Sequence, residues 1–250
     1  EAQANESLVR GTFNKLIDAC TELGIDLVGG HTEVTQAVHH PIAVGMMIGE
    51  VRRDDLLTPR GATPGDVILL TKFVPIEAVA ILCQEMPSEL GNHLDEDELA
   101  IGAAFHRRPG ISVLDDAQIA RATGSVSAMH DPTEGGLASA LWEFAEASSR
   151  RFVIDPKAVP VSPLARRICR LLQIDPLAAI SSGALLITAS ESSHGQICHA
   201  LRAQDIPCTV IGQIESGSPG VWTSENGALN LLPRPDRDEI ARILDRPPAL

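Results

Sequence analysis

The chain has 250 residues, 44% hydrophobic and 21% charged, in the ordinary range of globular proteins. A formal net charge of −13 argues against a nucleic-acid partner, which needs a basic surface, but not against a small anionic ligand held in one local pocket. Aromatic residues make up 3% and tyrosine is absent, so a platform for stacking bases is excluded as well.

The opening stretch EAQANESLVRGTFNKLIDAC enters a helical pattern almost at once, with Phe13, Leu16, Ile17 and Cys20 on one face. It has no initiating Met, and we expect an N-terminal portion to precede it. The helix, predicted over 6–22, ends at ELGI with Gly24 as its C-terminal cap. IDLVGG (25–30) reads as a short buried strand stopped by two glycines. PIAVGMMIGEV (41–51), apolar almost throughout, reads as a strand covered on both faces. TPRGATPGD (58–66) is rich in Pro and Gly and marks a domain joint, which gives domains over 1–60 and 61–250.

Beyond the joint, VILLTK (67–72) predicts a buried strand, and 75–86, 95–106 and 113–124 predict helices. SVSAM (125–129) is a short strand leading into a helix over 134–148. Strands are predicted at 151–155, 181–190 and 208–215, and helices at 162–173, 191–204 and 236–244. The alternation implies an α/β (α+β) fold with mixed sheets. No apolar run is long enough to span a membrane. Cys20, Cys83, Cys169, Cys198 and Cys208 form no CxxC and fit no zinc spacing. Such a scattered, odd set predicts reduced thiols and a cytoplasmic location.

The most informative stretch is HDPTEGGL (130–137). Asp131 suits an N-cap, Pro132 the first helical position, and Glu134 a capping box. Gly135 and Gly136 remain unexplained, since glycine costs about 1 kcal/mol against alanine in a helix interior. Two readings stand: close packing against a neighbouring backbone, or an anion held at the positive end of the helix. Two other stretches share this character. GGHTEVT (29–35) presents Gly29, Gly30, His31, Thr32 and Glu33, and ISSGALL (180–186) presents Ser182 and Gly183. His31 and Glu33 share a face in extended chain, as a polar edge or as a ligand pair. His130 is a candidate acid or base and Asp131 a candidate metal ligand, each against the plainer role of a packed or capping residue. Lys72 closes a strand and is either solvated or set to neutralise a phosphate.

GGHTEV, GDVILLTK, HDPTEGGLASAL, DPLAAISSGALLIT and LLPRPDRDEI occur here in one order. As a set they resemble the aminoimidazole ribonucleotide synthetase superfamily, and most of all its hydrogenase-maturation carbamoyl dehydratase-like branch. The resemblance runs from residue 6 onward. It implies a first domain that forms a homodimer and carries much of an ATP and metal site. A second domain would turn a glycine-rich, phosphate-facing loop toward the nucleotide. It also implies ATP and Mg²⁺ as cofactors, a small-molecule substrate whose oxygen is activated by phosphorylation, and a partner protein in a maturation pathway. Carried onto this sequence, the cofactor-binding set is Gly29, Gly30, His31, Thr32, Lys72, Asp131, Thr133, Gly135, Gly136, Ser182 and Gly183. His130 and Glu33 would be catalytic and Asp131 would hold the metal. The resemblance favours phosphate over packing at Gly135 and Gly136, and implies that Gly136→Asp abolishes nucleotide binding without unfolding. The carbamoyl dehydratases end in a tail with a terminal Cys, whereas the last cysteine here is Cys208, predicted within a strand. Glu134 stands where that branch often has Arg. A non-catalytic nucleotide-binding or scaffold relative of the same fold is the alternative.

Overall fold

Strong β-formers placed between turn residues build most of a mixed sheet. The structure, a computed structural model, describes residues 4–225 and 227–245. It divides into two compact units, Glu1–Arg53 and Asp54–Leu250.

In the second unit the elements run in this order: β1 (Asp66–Thr71), α-helices at Ile76–Glu85, Pro87–Leu90, Glu96–Ala103 and Leu114–Ala122, then β2 (Val126–His130). Counting the first unit's helix as α1 (Glu6–Glu22), these four are α2 to α5. They are followed by α6 (Gly136–Ser148), β3 (Arg151–Ile154), α7 (Pro163–Leu172), β4 (Leu186–Ser190) and α8 (His194–Arg202). β5 (Cys208–Glu215), β6 (Gly220–Glu225), β7 (Ala228–Leu231) and α9 (Glu239–Leu244) complete the chain. The strands form one seven-stranded sheet in the order β2-β4-β1-β5-β3-β6-β7. All neighbours pair antiparallel except β3 and β6, which are parallel.

β1 shows why both faces of the sheet are covered. Ile68 and Leu70 pack with Leu137, Leu141 and Phe144 of α6, while Val67 and Leu69 pack with Ala120 of α5 and Ile197 and Leu201 of α8. Alternate side chains of a strand face opposite ways, so an unbroken apolar run demands helices on both sides. A third cluster joins α2, α7 and α9 through Val79, Leu82, Ile168, Leu172, Ile240 and Ile243. The β6–β7 hairpin was not legible from alternation, because β7 is exposed along its length.

β1 and β2 both run antiparallel to β4. The C-terminal ends of β1 and β2 and the N-terminal end of β4 therefore share one sheet edge. Leu186 stands opposite both Leu70 and His130 there, and Cys208 stands opposite Thr71.

In the first unit, α1 is capped by Asn5, whose side chain accepts from Leu8 N at 2.9 Å. No α1 residue is buried. The strands predicted at 25–30 and 41–51 are not formed: both segments lack regular secondary structure and pair in no ladder. A strand needs a neighbour for its N–H and C=O groups, and among the described residues none pairs with either segment. Val28, Val44 and Met46 are correspondingly 94%, 93% and 87% exposed.

Candidate functional site

The shared edge of the sheet collects the second unit's candidate residues. β1 runs into Lys72, β2 ends on His130 and leads through Asp131 and Thr133 to Gly135 and Gly136, and Ser182 and Gly183 precede β4.

His130 is half-buried. Its Nε2 lies 3.0 Å from Glu143 Oε2 on α6, and its Nδ1 lies 3.9 Å from Asp131 Oδ1. A carboxylate only accepts, so Nε2–H donates to Glu143 and leaves Nδ1 as the acceptor nitrogen of the neutral ring. The ring also stands edge-on to Phe144, with centroids 5.9 Å apart. Glu143 fixes the tautomer and Phe144 the ring plane, the support an acid or base requires. Sequence reading missed Glu143, which lies in the helical stretch 13 residues on and carries no motif of its own.

The start of α6 differs from the expected capping box. The helix begins at Gly136, its N-cap is Gly135 in the left-handed region (φ +75°), and no side chain caps it. Asp131 and Glu134 are exposed loop residues. Gly136 is also left-handed (φ +62°), and a Cβ on it would lie 2.4 Å from Ala179 O and 2.7 Å from Leu177 O. Capping by Asp131 fails because the two left-handed glycines turn the chain once more before the helix starts. Four of the backbone N–H groups here have partners within the chain. Gly135 N donates to Asp238 Oδ2 (2.7 Å), Gly136 N to Thr133 O (2.9 Å), Ala138 N to Leu177 O (2.8 Å) and Ser139 N to Gly135 O (3.2 Å). Close packing thus accounts for Gly136, and these four groups do not form an open phosphate cradle. Gly136→Asp would drive its side chain into backbone, so it cannot separate binding from folding. Asp238 also caps α9 through Oδ1 to Ile240 N, and its N-cap position in PRPDRDEI was the signal that could have singled it out.

Lys72 is buried and left-handed (φ +55°). Its Nζ donates to Ser112 O (2.9 Å), Asp116 Oδ2 (2.9 Å) and Gly183 O (2.8 Å). An ammonium has three N–H bonds, and all three are engaged. The residue expected to meet a phosphate therefore joins β1 to the loops before α5 and β4. A Cβ at Gly183 (φ +106°) would lie 2.4 Å from Gly110 O, so that loop is closely packed too. Ser182 is half-buried beside it. A cavity of about 920 Å³ opens next to the Lys72–Asp116 pair, with Arg107, Ser112, Thr123 and Gln204 in its wall.

In the first unit, Gly29, Gly30, His31, Thr32 and Glu33 are exposed and lie outside regular secondary structure. A Cβ at Gly29 or Gly30 would meet no atom within 4 Å.

Among the described residues, no group of three or more His, Cys, Asp or Glu side chains is placed to hold a metal. Asp131 offers one exposed carboxylate. That fits Mg²⁺, which commonly takes one or two carboxylates and fills its remaining positions with phosphates and water.

A family model described as AIR synthase related protein, C-terminal domain, matches residues 63–223. The chain belongs to this family. Among curated relatives of this AIR synthase-related chain, carbamoyl dehydratase HypE of Cupriavidus necator is 31% identical over 75% of this chain and 51% of that protein. Selenide, water dikinase of Nitratidesulfovibrio vulgaris is 28% identical over 82% of this chain and 62% of its own. The chain thus spans between about half and two thirds of the length of these relatives. A solved HypE in complex with ATP shares the fold at a TM-score of 0.71, with 23% identity, covering 95% of this chain and 71% of that one. No helix among the described residues is long and apolar enough to cross a membrane.

Proposed function

We propose that this AIR synthase-related protein is an ATP-dependent enzyme that activates an oxygen of a small-molecule substrate by phosphorylation. The observation that carries the reading is kinship to both a carbamoyl dehydratase and a selenide, water dikinase over three quarters or more of the chain. ATP, when bound, supplies the phosphoryl group.

The chain's own residues have definite roles in this reading. His130 takes or gives a proton at Nδ1, while Glu143 holds the ring from Nε2. Asp131 contributes a carboxylate to Mg²⁺ brought in with the phosphates. The cavity beside Lys72 is lined by neither His130 nor Asp131, so the substrate is not placed there. In the first unit, GGHTE is an open segment, and its glycines allow a ligand to approach the backbone. Glu33 is the second catalytic candidate, and His31 and Thr32 complete that loop's binding set. The protein acts as a cytoplasmic homodimer with a partner protein in a maturation pathway.

One observation favours the non-catalytic nucleotide-binding or scaffold alternative: the N–H groups of Gly135, Gly136, Ala138 and Ser139 at the start of α6 are engaged within the fold. Phosphate release from ATP, measured with and without candidate substrates, separates the two readings. Saturable binding without turnover under every condition would favour the scaffold.

A further inference from the structure

Cys198 on α8 and Cys208 at the start of β5 are both buried, and their sulfurs lie 3.2 Å apart. They belong to different elements, and neither takes part in the chemistry proposed above. A disulfide needs about 2.05 Å between sulfurs, so the pair would close by roughly 1 Å. A zinc ion with bonds of about 2.3 Å would hold two thiolates about 3.8 Å apart, farther than they stand. The spacing favours a bond between the sulfurs over a metal between them.

Access is one-sided. A cavity of about 380 Å³ is lined by His194, Gly195, Cys198, His199, Arg202 and Val210. Cys198 opens onto it, whereas Cys208 is outside that lining and 1% exposed. Arg202 donates to Cys208 O at 2.7 Å, which fixes its guanidinium beside the pair.

We propose that Cys198 and Cys208 form an oxidisable dithiol, with Cys198 attacking a hydroperoxide from the cavity and Cys208 resolving the product. In the first step the Cys198 sulfur bonds to one peroxide oxygen and the O–O bond breaks. The leaving hydroxide takes up the thiol proton as water, and Cys198 becomes a sulfenic acid. In the second step the Cys208 sulfur bonds to the Cys198 sulfur. The S–O bond breaks, and hydroxide leaves with the Cys208 proton as a second water. Two thiols lose two electrons, and hydrogen peroxide is reduced to two waters. The disulfide ties α8 to β5 opposite Thr71, one residue from Lys72.

The surroundings divide the labour in the same sense. The hydrogen bond shared with Cys208 is the main cause that holds the Cys198 thiol below its ordinary range, against burial, with Arg202 and His194 adding to it. That same bond, then burial, pushes Cys208 up. The other charged or titratable neighbours are His199 in the cavity wall and Asp116 on α5, which acts on Cys208. Burial instead pushes Cys83 up to about 11 and Cys169 up to about 12.

The test is peroxide treatment of the purified protein, removal of peroxide, unfolding in the presence of an alkylating reagent, and peptide mapping by mass spectrometry. The expected result is a Cys198–Cys208 peptide pair lighter by two hydrogens and restored by dithiothreitol, with Cys83 and Cys169 unchanged. Cys208→Ser should stop at a dimedone-trapped sulfenic acid on Cys198. Before oxidation, Cys198 should be alkylated at lower pH than Cys83 and Cys169, the direction its depressed thiol requires. Both cysteines recovered fully alkylated after peroxide, or Cys198 carried to sulfinic acid without a link, would overturn the proposal. The wild-type map decides this even if the variant does not fold.

Discussion

An added Cβ at Gly29 or Gly30 would touch nothing within 4 Å, whereas at Gly136 it would come within 2.4 Å of Ala179 O. Gly135 and Gly136 are left-handed, and Gly29 and Gly30 are not among the positive-φ glycines. The pair at α6 is glycine because the chain must turn sharply there and pass close to the 177–179 backbone. Within its own unit, the pair at 29–30 meets no such demand. The two loops carry the same residue types, so composition alone does not say which glycines the fold requires. The space around them shows that Gly136 is closed in by backbone and that Gly29 and Gly30 are not.

The largest effect that would test this contrast is on stability. Gly136→Ala combines a left-handed backbone with a backbone clash and should cost about 3 kcal/mol or more, read as a fall in the denaturation midpoint. Gly135→Ala should cost about 2 kcal/mol, because its backbone is left-handed and the added Cβ would lie 2.8 Å from Ser139 Cβ, a contact that turning the Ser139 hydroxyl does not relieve. Wild-type stability for Gly136→Ala would remove the packing account. Next comes His130→Gln, which leaves the fold in place and should lower ATP turnover by about 10²-fold, the scale of one general acid or base. An unchanged rate would return His130 to a packing role. The smallest expected change is at Gly30→Ala. Stability should stay within about 0.5 kcal/mol, while Mg·ATP affinity falls about tenfold if the open loop meets the nucleotide. Loss of stability there would blur the contrast between the two glycine pairs.

Much of the second unit was legible because its elements carry strong local signals. VILLT is apolar on both faces and is buried on both, and α6 repeats its apolar residues at helical spacing. The first unit was misread at 25–30 and 41–51, because an apolar run specifies a strand only where a neighbour can pair with it. At the site, the sequence showed which residues carry chemistry but not which were already engaged. Lys72 looked free until Asp116, 44 residues away, took its charge. His130 gained its orienting carboxylate from a helix position without a motif. Both pairings are long-range facts of the fold, and periodicity does not encode them.

The most direct measurement is calorimetric titration of Mg·ATP into the protein, with Mg·ADP alongside. The account predicts saturable binding of the nucleotide, dependent on Mg²⁺ and weakened by Gly30→Ala. No heat of binding up to millimolar nucleotide would contradict it and leave a scaffold relative of the family as the better description.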